Sequence, residues 1–424
     1  GFGILLKALW QNMNIFNSLS GKLEEFKPLH DKKVTIYVCG ITPYDTTHLG
    51  HAFTYISFDM LIRYLRFKGF KVIYTQNVTD INDRDKDILE RAREQNIHWQ
   101  KLADFWTKRF LEDMKSLNWT PPAHYLKASE QIPSMINLIK KLLDKDLAYQ
   151  IQGSVYLNIS KFPDYGKLSR LGKDEMLKVS KDFEEDLENP DKRSPLDITL
   201  WRSSTLNQPP HIPSFDSPFG PGRPGWHIEC SAMSMEYLGD QIDIHGGGMD
   251  LKFPHHEAEI AQSEGATGKI PFAKYWLHTG EVRNQGEKMS KSKRNLVMVS
   301  DLLKKYSPNA IRWLLLSHHW SNSWEYQEKD LIQAQKNVEV IETVILGIRQ
   351  LAETPESKED SGQIRITQDV NRMTEENDKF SQIMDQNLDT PKALDFLLKM
   401  AKQHTKGLEN LYTSLGFSLK KSKL

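Results

Sequence analysis

The earliest regular pattern in the chain is a strand, a helix and a second strand. VTIYVCGI is a run rich in β-branched and aromatic residues, of strand length, and it leads through Gly40 to Pro43. Apolar residues at helical spacing follow over 52–68, and KVIYTQNVTD, after Gly69, again has the character of a strand. A strand, a helix and a strand in this order predict a βαβ unit of a parallel sheet.

This sheet pattern is interrupted and later resumes. Residues 82–146 have mostly helical spacing of apolar side chains, and the stretch 162–195 is rich in proline, aspartate and lysine, which is typical of a loop-rich insertion. Two further junctions between a strand and a loop, QIDIHGGG and KYWLHTGEV, come afterwards. We therefore predict an α/β fold whose nucleotide-binding sheet is split by an inserted subdomain.

The C-terminal part of the chain has the spacing of packed helices. From Lys329 onward apolar residues recur at helical intervals, and the charged segment 353–363 is typical of a linker. The apolar positions are Val338, Ile341, Val344, Ile345 and Ile348. The predicted parts are the first half of a catalytic domain (13–110), an inserted connective subdomain (111–210), the second half of the catalytic domain (211–325) and a helical C-terminal domain (326–424).

The composition is that of a folded protein without a dominant charge. With 424 residues, 26% of them charged, the chain is long enough for two or three domains and too mixed to be disordered. Lys and Arg together number 56, as do Asp and Glu, so the net charge is zero. A neutral chain gives no electrostatic sign of a long nucleic-acid track, which weakens a tRNA partner without excluding one.

The cysteines and the first residues favour a cytosolic protein. In a large chain without a secretory signal, Cys39 and Cys230 are better explained as thiols or metal ligands than as a disulfide. The opening residues, GFGILLKALWQN, are far fewer than the about 18 apolar residues that a membrane-spanning helix needs. We therefore expect no membrane span, and we treat the residues before Met13 as an extension outside the fold.

The segment His48-Leu49-Gly50-His51 lies where the first strand leads into the first helix. The N-terminus of a helix attracts phosphate through its free N–H groups and its dipole, and Gly50 lets a nucleotide approach the backbone. Two imidazoles can also donate to phosphate oxygens as charge develops. The alternative is a surface loop in which these four residues occur by chance.

A second candidate, Lys288-Met289-Ser290-Lys291-Ser292, follows much later in a stretch rich in Lys, Asn, Gln and Gly, which predicts a mobile loop. Two lysines can clamp a triphosphate and follow the pyrophosphate as it leaves, an electrostatic role without a covalent step. The competing interpretation is a solvated basic loop. Together and in this order, HLGH and KMSKS resemble the two signature motifs of class I aminoacyl-tRNA synthetases.

Four further residues form a candidate metal site. Cys230 lies in PGWHIECSAM, and His255 and Glu259 are four positions apart in FPHHEAEIAQ, where a helix brings both to one face. With Cys39 they supply two thiolates, an imidazole and a carboxylate, an acceptable set for four-coordinate Zn²⁺. The alternative is that both cysteines are ordinary small buried residues.

The chain from about Met13 to its end resembles the cysteinyl-tRNA synthetases and their relative, the mycothiol-pathway ligase that joins cysteine to glucosaminyl-inositol. The most specific segments are YVCGIT, HLGH, NVTDIND, GRPGWHIECSAM, DIHGGGMDLKFPHHEAEIAQ and KMSKS. This resemblance implies a class I synthetase fold with a Rossmann-like parallel sheet. It also implies that L-cysteine reacts with ATP, accompanied by Mg²⁺, to give cysteinyl-AMP and pyrophosphate.

The resemblance assigns roles to individual residues. It implies one Zn²⁺ per chain, bound by Cys39, Cys230, His255 and Glu259 and also by the substrate thiolate. The implied catalytic residues are His48, His51, Lys288 and Lys291. These four also bind ATP, together with Thr42, Gly50, Gly246, Gly247, Gly248 and Asp250. The implied cysteine pocket consists of Thr79, Asp80, Trp226 and His245. Trp226 has an equally good interpretation as an ordinary core aromatic residue.

Zinc in the pocket has a chemical rationale. Serine differs from cysteine at one atom, and an apolar pocket rejects so close an isostere only weakly. A zinc ion that deprotonates a thiol, but gains little from an alcohol, discriminates between them directly. We therefore expect no editing domain.

The acceptor of the cysteinyl group is ambiguous. The sequence ends at LGFSLKKSKL, about where the mycothiol-type ligase ends, so we expect no anticodon-binding domain. Four segments are also closer to that ligase: CGITPYDTTHLGHA, SPFGPGRPGWH, NLVMVS and LDTPKA. We therefore favour an amino-sugar amine, with the alternative that a monomeric cysteine-tRNA ligase charges tRNA(Cys). Two segments, IFNSLSGKLEEFKPLH and DIHGGGMDLKFPHHEAEIAQ, fit both groups. Lys293-Arg294, after KMSKS, departs from the Leu-Gly or Arg-Gly usually found at that place. A non-catalytic paralogue is the third interpretation.

Overall fold

Alternating strands and helices surround a parallel sheet in a computed structural model that describes residues 13–44, 47–84, 88–183, 185–205, 208–289, 293, 295–353 and 362–419. The strands are β1 (Asn14–Asn17), β2 (Lys22–Glu25), β3 (Lys33–Ile41), β4 (Lys71–Val78), β5 (His124–Lys127), β6 (Ala148–Ile151), β7 (Ser154–Leu157), β8 (Ile198–Ser203), β9 (Gly222–Pro224), β10 (Ile242–Gly248), β11 (Ala273–Thr279), β12 (Val282–Asn284), β13 (Glu287–Lys288) and β14 (Trp324–Glu325). The helices are α1 (Leu49–Phe67), α2 (Ile88–Glu94), α3 (Trp99–Ser116), α4 (Ile132–Asp144), α5 (Lys173–Asp182), α6 (Trp226–Leu238), α7 (His255–Thr267), α8 (Val299–Leu302), α9 (Pro308–Leu316), α10 (Glu328–Glu353), α11 (Gly362–Met384), α12 (Thr390–Lys402) and α13 (Leu408–Ser414).

The central sheet has five parallel strands in the order β11, β10, β3, β4, β5. Its register places Ile36 of β3 beside Tyr74 on one side and Ile244 on the other. A strand in this position is covered on both faces, which explains why β3 is apolar almost throughout. The predicted βαβ unit and the two later strands are confirmed.

Side chains of β3 enter two different parts of the core. Val34, Ile36 and Val38 pack with α1 and the C-terminal helices, whereas Tyr37 and Cys39 pack on the opposite face with α6 and α7. Successive side chains of a strand point to opposite faces of its sheet. The alternation therefore delivers Cys39 to the face that carries α6 and α7.

Between β5 and α6 the chain forms a separate four-stranded antiparallel sheet, ordered β6, β7, β8, β9. This sheet lies largely within the segment 111–210 that we predicted as an insertion. However, β5 pairs with β4 in the central sheet, so the parallel strands continue past the predicted boundary at residue 110. The other domain boundaries stay predictions.

The C-terminal helices pack against α1 around a buried ion pair. Arg312 of α9 contacts Asp59 of α1, and its guanidinium also donates to the carbonyl oxygens of Leu117 and Leu415. Residues 354–361, most of the predicted linker, lie outside the described part of the chain. Within the part of the chain that the structure describes, no helix has both the length and the apolar character required to cross a bilayer.

Candidate active site

A cavity of about 470 Å³ opens where β3 and β10 end. β4 lies on one side of β3 and β10 on the other, so the strand order reverses here. Open α/β sheets bind ligands at such a point, beyond the carboxyl ends of the strands. The sequence-predicted site residues that line this cavity are Cys39, Thr42, His48, His51, Thr79, Trp226, Cys230, Gly248, Asp250 and His255.

Gly40 shapes the floor of the cavity at the end of β3. Its N–H donates to Oδ1 of Asn77 at 2.7 Å, and the pairing of β3 with β4 shifts register between Val38 and Ile41. A Cβ atom at Gly40 would lie 1.5 Å from the backbone oxygen of Asn77, so only glycine fits. This close approach sets the position of the adjacent Cys39.

The four predicted metal ligands converge beside the cavity, and three of them, Cys39, Cys230 and His255, line its base. The thiols of Cys39 and Cys230, an imidazole nitrogen of His255 and a carboxylate oxygen of Glu259 all lie within 4.8 Å of one another and are buried. The Cys39 thiol donates to Glu259 Oε1 at 3.5 Å, and His255 Nε2 lies 3.2 Å from the same oxygen. Cys39 and Cys230 are not joined by a disulfide.

A second possible set shares two of these residues. The atoms of Cys39, His245, His256 and Glu259 also lie within 4.8 Å of one another. His256 Nε2 is 3.3 Å from Cys39 Sγ, and His245 Nε2 is 2.7 Å from Glu259 Oε2. However, neither His245 nor His256 lines the cavity. A metal ion facing a substrate is therefore better served by the set that contains Cys230 and His255.

The cluster is electrostatically suited to a cation. Burial raises the pKa of the Cys39 thiol and of the Glu259 carboxyl group, and burial lowers the pKa of His255. Without a cation, burial opposes ionisation of the thiol and the carboxyl group, whereas a metal ion would stabilise a thiolate and a carboxylate. Two sulfurs, one nitrogen and one oxygen fit a borderline-soft ion such as Zn²⁺.

The predicted cysteine pocket is only partly assembled. Thr79 and Trp226 line the cavity, and the Trp226 ring stacks on the ring of His255 with centroids 4.5 Å apart. Asp80 does not line it, because its carboxylate accepts from the N–H and the hydroxyl of Ser129 at 2.9 and 2.6 Å. His245 instead contacts Glu259. Trp226 is partly exposed, so the core-aromatic interpretation does not fit.

At its other end, the cavity borders a second space of about 260 Å³ that His48, Gly50, His51, Asp250 and Lys288 help to line. His48 caps α1, since its Nδ1 accepts from the N–H of His51 at 3.3 Å, and the two rings stack. This places both histidines of the HLGH segment and the first residue of KMSKS around one opening.

Lys288 is held at this opening by two carboxylates. Its Nζ lies 2.7 Å from Asp250 Oδ2 and 3.4 Å from Glu281 Oε1. Although burial alone would lower it, these two carboxylates raise the pKa of Lys288, so the side chain stays cationic. Lys291, the other predicted lysine, lies outside the described residues.

Two predicted nucleotide-binding glycines have a packing role in this structure. A Cβ atom at Gly246 would lie 2.2 Å from the Phe58 ring, and one at Gly247 would lie 2.9 Å from Leu251. Neither residue lines the cavity, unlike Gly248. The glycine run therefore combines two residues needed for close packing with one that borders the cavity.

Comparison with known proteins identifies the family. Residues 25–336 match the profile of the class I (C) tRNA synthetase catalytic domain. A cysteine-tRNA ligase of Dehalococcoides mccartyi is 44% identical over 391 residues, spanning 92% of this chain and 80% of that protein. One from Legionella pneumophila is 42% identical over 414 residues, spanning 96% and 85%. The chain belongs to the cysteinyl-tRNA synthetase family. It is an ATP-dependent ligase of that family.

Solved structures of aminoacyl-tRNA synthetases have a fold similar to that of this chain. A Mycobacterium tuberculosis methionyl-tRNA synthetase in complex with methionyl-adenylate has a TM-score of 0.61 at 14% identity, spanning 90% of this chain and 84% of that one. At this identity the likeness concerns the fold alone. The class I synthetase fold predicted from the sequence is confirmed.

Sequence reasoning missed several histidines of this synthetase-family site. His256 Nδ1 lies 2.8 Å from His278 Nε2, and His278 Nδ1 lies 2.8 Å from the Ser18 hydroxyl. His227 Nδ1 lies 2.9 Å from His255 Nδ1. Two signals were available, since His256 directly follows a predicted ligand and His227 directly follows Trp226.

We expect the purified enzyme to contain one divalent metal ion per chain, measured by elemental analysis. Cys230→Ala should lose most of it, because a three-ligand site binds far more weakly. His256→Gln is the matched control, since it lies at the same cluster but outside the favoured set, and it should keep the ion. Loss of the ion from His256→Gln but not from Cys230→Ala would assign the metal to the second set of ligands. Freshly purified wild-type protein without a metal ion would exclude both sets.

Proposed function

We propose that this enzyme activates L-cysteine with ATP and transfers the cysteinyl group to tRNA(Cys). The observation that carries the proposal is the layout of one cavity. The Cys39, Cys230, His255 and Glu259 cluster lies at its base, and the HLGH histidines lie at its opening with Lys288 beside them. An amino acid whose side chain is bound at the cluster would therefore place its carboxylate toward the opening lined by His48, His51 and Lys288, where ATP would bind.

The cluster would select the amino acid. Cys39, Cys230, His255 and Glu259 would hold Zn²⁺, which supplies a preference for a thiol over a hydroxyl when bound. Trp226 and Thr79 form walls beside the cluster and restrict the size of the side chain. The zinc would reject serine because it gains little from an alcohol, and the walls would reject larger amino acids by their shape. A separate editing step would then not be needed.

The opposite end would bind ATP, accompanied by Mg²⁺. The N-terminus of α1, with His48 as its cap, offers free N–H groups to phosphate, and Gly50 leaves room for close approach. Lys288 brings a positive charge to the same opening. Pyrophosphate is the leaving group, so groups that stabilise its charge accelerate the attack of the cysteine carboxylate on the α-phosphate.

The acceptor is the point at which the proposal departs from our sequence-based preference. The relatives reported above are cysteine-tRNA ligases at 42–44% identity over nearly the whole chain, and this supports a ribose hydroxyl of tRNA as the acceptor. An amino-sugar amine, which we favoured from local sequence segments, finds no support among them. The amino-sugar amine is therefore the competing acceptor in the labelling experiment that follows.

We predict that radiolabelled cysteine, ATP and the enzyme will charge tRNA(Cys), and that serine will not be incorporated. The product is an ester, so mild alkali should release the label, whereas an amide with glucosaminyl-inositol would survive. Offering both acceptors in one reaction makes the comparison direct. An alkali-stable product with uncharged tRNA would overturn the proposed acceptor, and equal activation of serine would overturn the proposed selection.

We further predict that Lys288→Ala slows pyrophosphate exchange by about 10²-fold, or roughly 2.7 kcal/mol in the transition state. The KM for cysteine should change little, because Lys288 lies at the phosphate end of the cavity. Lys304→Ala is the control, since this exposed lysine follows α8, pairs with Asp301 at 2.7 Å and lines neither part of the cavity. A raised KM for cysteine with unchanged turnover would contradict the phosphate role.

A further inference from the structure

A chain of hydrogen-bonding groups leads away from the predicted ligand His255. Its Nε2 faces the cluster, 3.2 Å from Glu259 Oε1, and its Nδ1 lies 2.9 Å from Nδ1 of His227. The other nitrogen of His227, Nε2, lies 3.1 Å from Glu185 Oε1. His227 therefore connects His255, a member of the cluster, to the carboxylate of Glu185, which lies outside it.

Only one arrangement of protons satisfies this chain when a metal ion is bound. The Nε2 atom of His255 must be unprotonated to bind metal, so its Nδ1 carries hydrogen and donates to His227 Nδ1. His227 then carries its own proton on Nε2 and donates it to Glu185. The carboxylate at the far end thus determines which nitrogen of His255 faces the cluster.

Glu185 is fixed and ionised in this position. Arg84 Nη2 lies 3.0 Å from Glu185 Oε1, and the same guanidinium sits 3.9 Å from the Trp226 ring centroid. Burial alone would raise the pKa of Glu185, but the hydrogen bond from His227 and the charge of Arg84 lower it. The Trp226 ring in turn stacks on His255. Arg84 therefore contacts both Glu185 and Trp226, the residue that stacks on the predicted metal ligand His255.

We propose that Glu185 and His227 are positioning residues that orient His255 and strengthen metal binding. Groups that accept the second N–H of a metal-bound imidazole fix its tautomer and raise its basicity. Glu185 follows α5 in the segment predicted as an insertion, so this chain makes that segment part of the metal site. The inference rests on the proposed metal-dependent selection of cysteine.

The test compares Glu185→Gln and His227→Phe with wild-type enzyme in a competition between the protein and a chromophoric chelator for Zn²⁺. Each variant should bind Zn²⁺ about 10- to 100-fold more weakly. The KM for cysteine should rise, while the KM for ATP should stay unchanged. Glu185→Asp, which keeps the charge, should restore part of the affinity.

Glu264→Gln is the matched control. Its side chain is 10% exposed against 16% for Glu185, and it pairs with Lys167 of the same predicted insertion, away from the cluster. This control should keep wild-type Zn²⁺ affinity. A purely structural role for Glu185 would lower the melting temperature and leave the affinity for Zn²⁺ unchanged.

The outcomes separate this inference from the proposed function. Wild-type enzyme that binds no Zn²⁺ would remove the proposed metal-dependent selection of cysteine, on which this inference rests. Wild-type enzyme that binds Zn²⁺ with the same affinity as Glu185→Gln would overturn the positioning role alone. If His227→Phe does not fold, as judged by circular dichroism, the Glu185→Gln and Glu185→Asp variants decide the question by themselves.

Discussion

The arrangement of this site depends on burying two thiols, an imidazole and a carboxylate within 4.8 Å of one another. Burial opposes the ionised forms of the thiol and the carboxylate, as the raised pKa values of Cys39 and Glu259 indicate. A bound cation resolves this conflict, because it stabilises both anions at once. A bound metal ion would therefore make the cluster chemically consistent with its buried surroundings.

The fold delivers these groups from separate elements that meet at one point. β3 ends at the cavity and presents Cys39 to one face of the sheet, α6 carries Cys230, and a single turn of α7 carries His255 and Glu259. α1 begins at the same edge, with its N-terminus toward the phosphate end. A parallel sheet brings strand ends and helix starts together, so the sites proposed for amino-acid selection and for ATP binding lie in one cavity.

Much of this could be predicted from local sequence patterns. The apolar run of β3 indicates a buried parallel strand, and the four-residue spacing of His255 and Glu259 brings both to one face of α7. The contacts that were missed join residues far apart in the chain. Asp80 binds Ser129, and Glu185 reaches His255 through His227, so no local pattern could reveal either contact. The family resemblance assigned Gly246 to the nucleotide, whereas its close packing against Phe58, which is distant in sequence, could be seen only in the structure.

The central claim is that cysteine is selected by its thiol at a zinc ion held by this cluster. X-ray absorption at the zinc edge tests it directly, by counting sulfur neighbours in the enzyme alone, with cysteine and with serine. If zinc selects the thiol, Cys39 and Cys230 will supply the sulfur neighbours of the free enzyme, cysteine will add one more, and serine will add none. An unchanged sulfur count in saturating cysteine would contradict it.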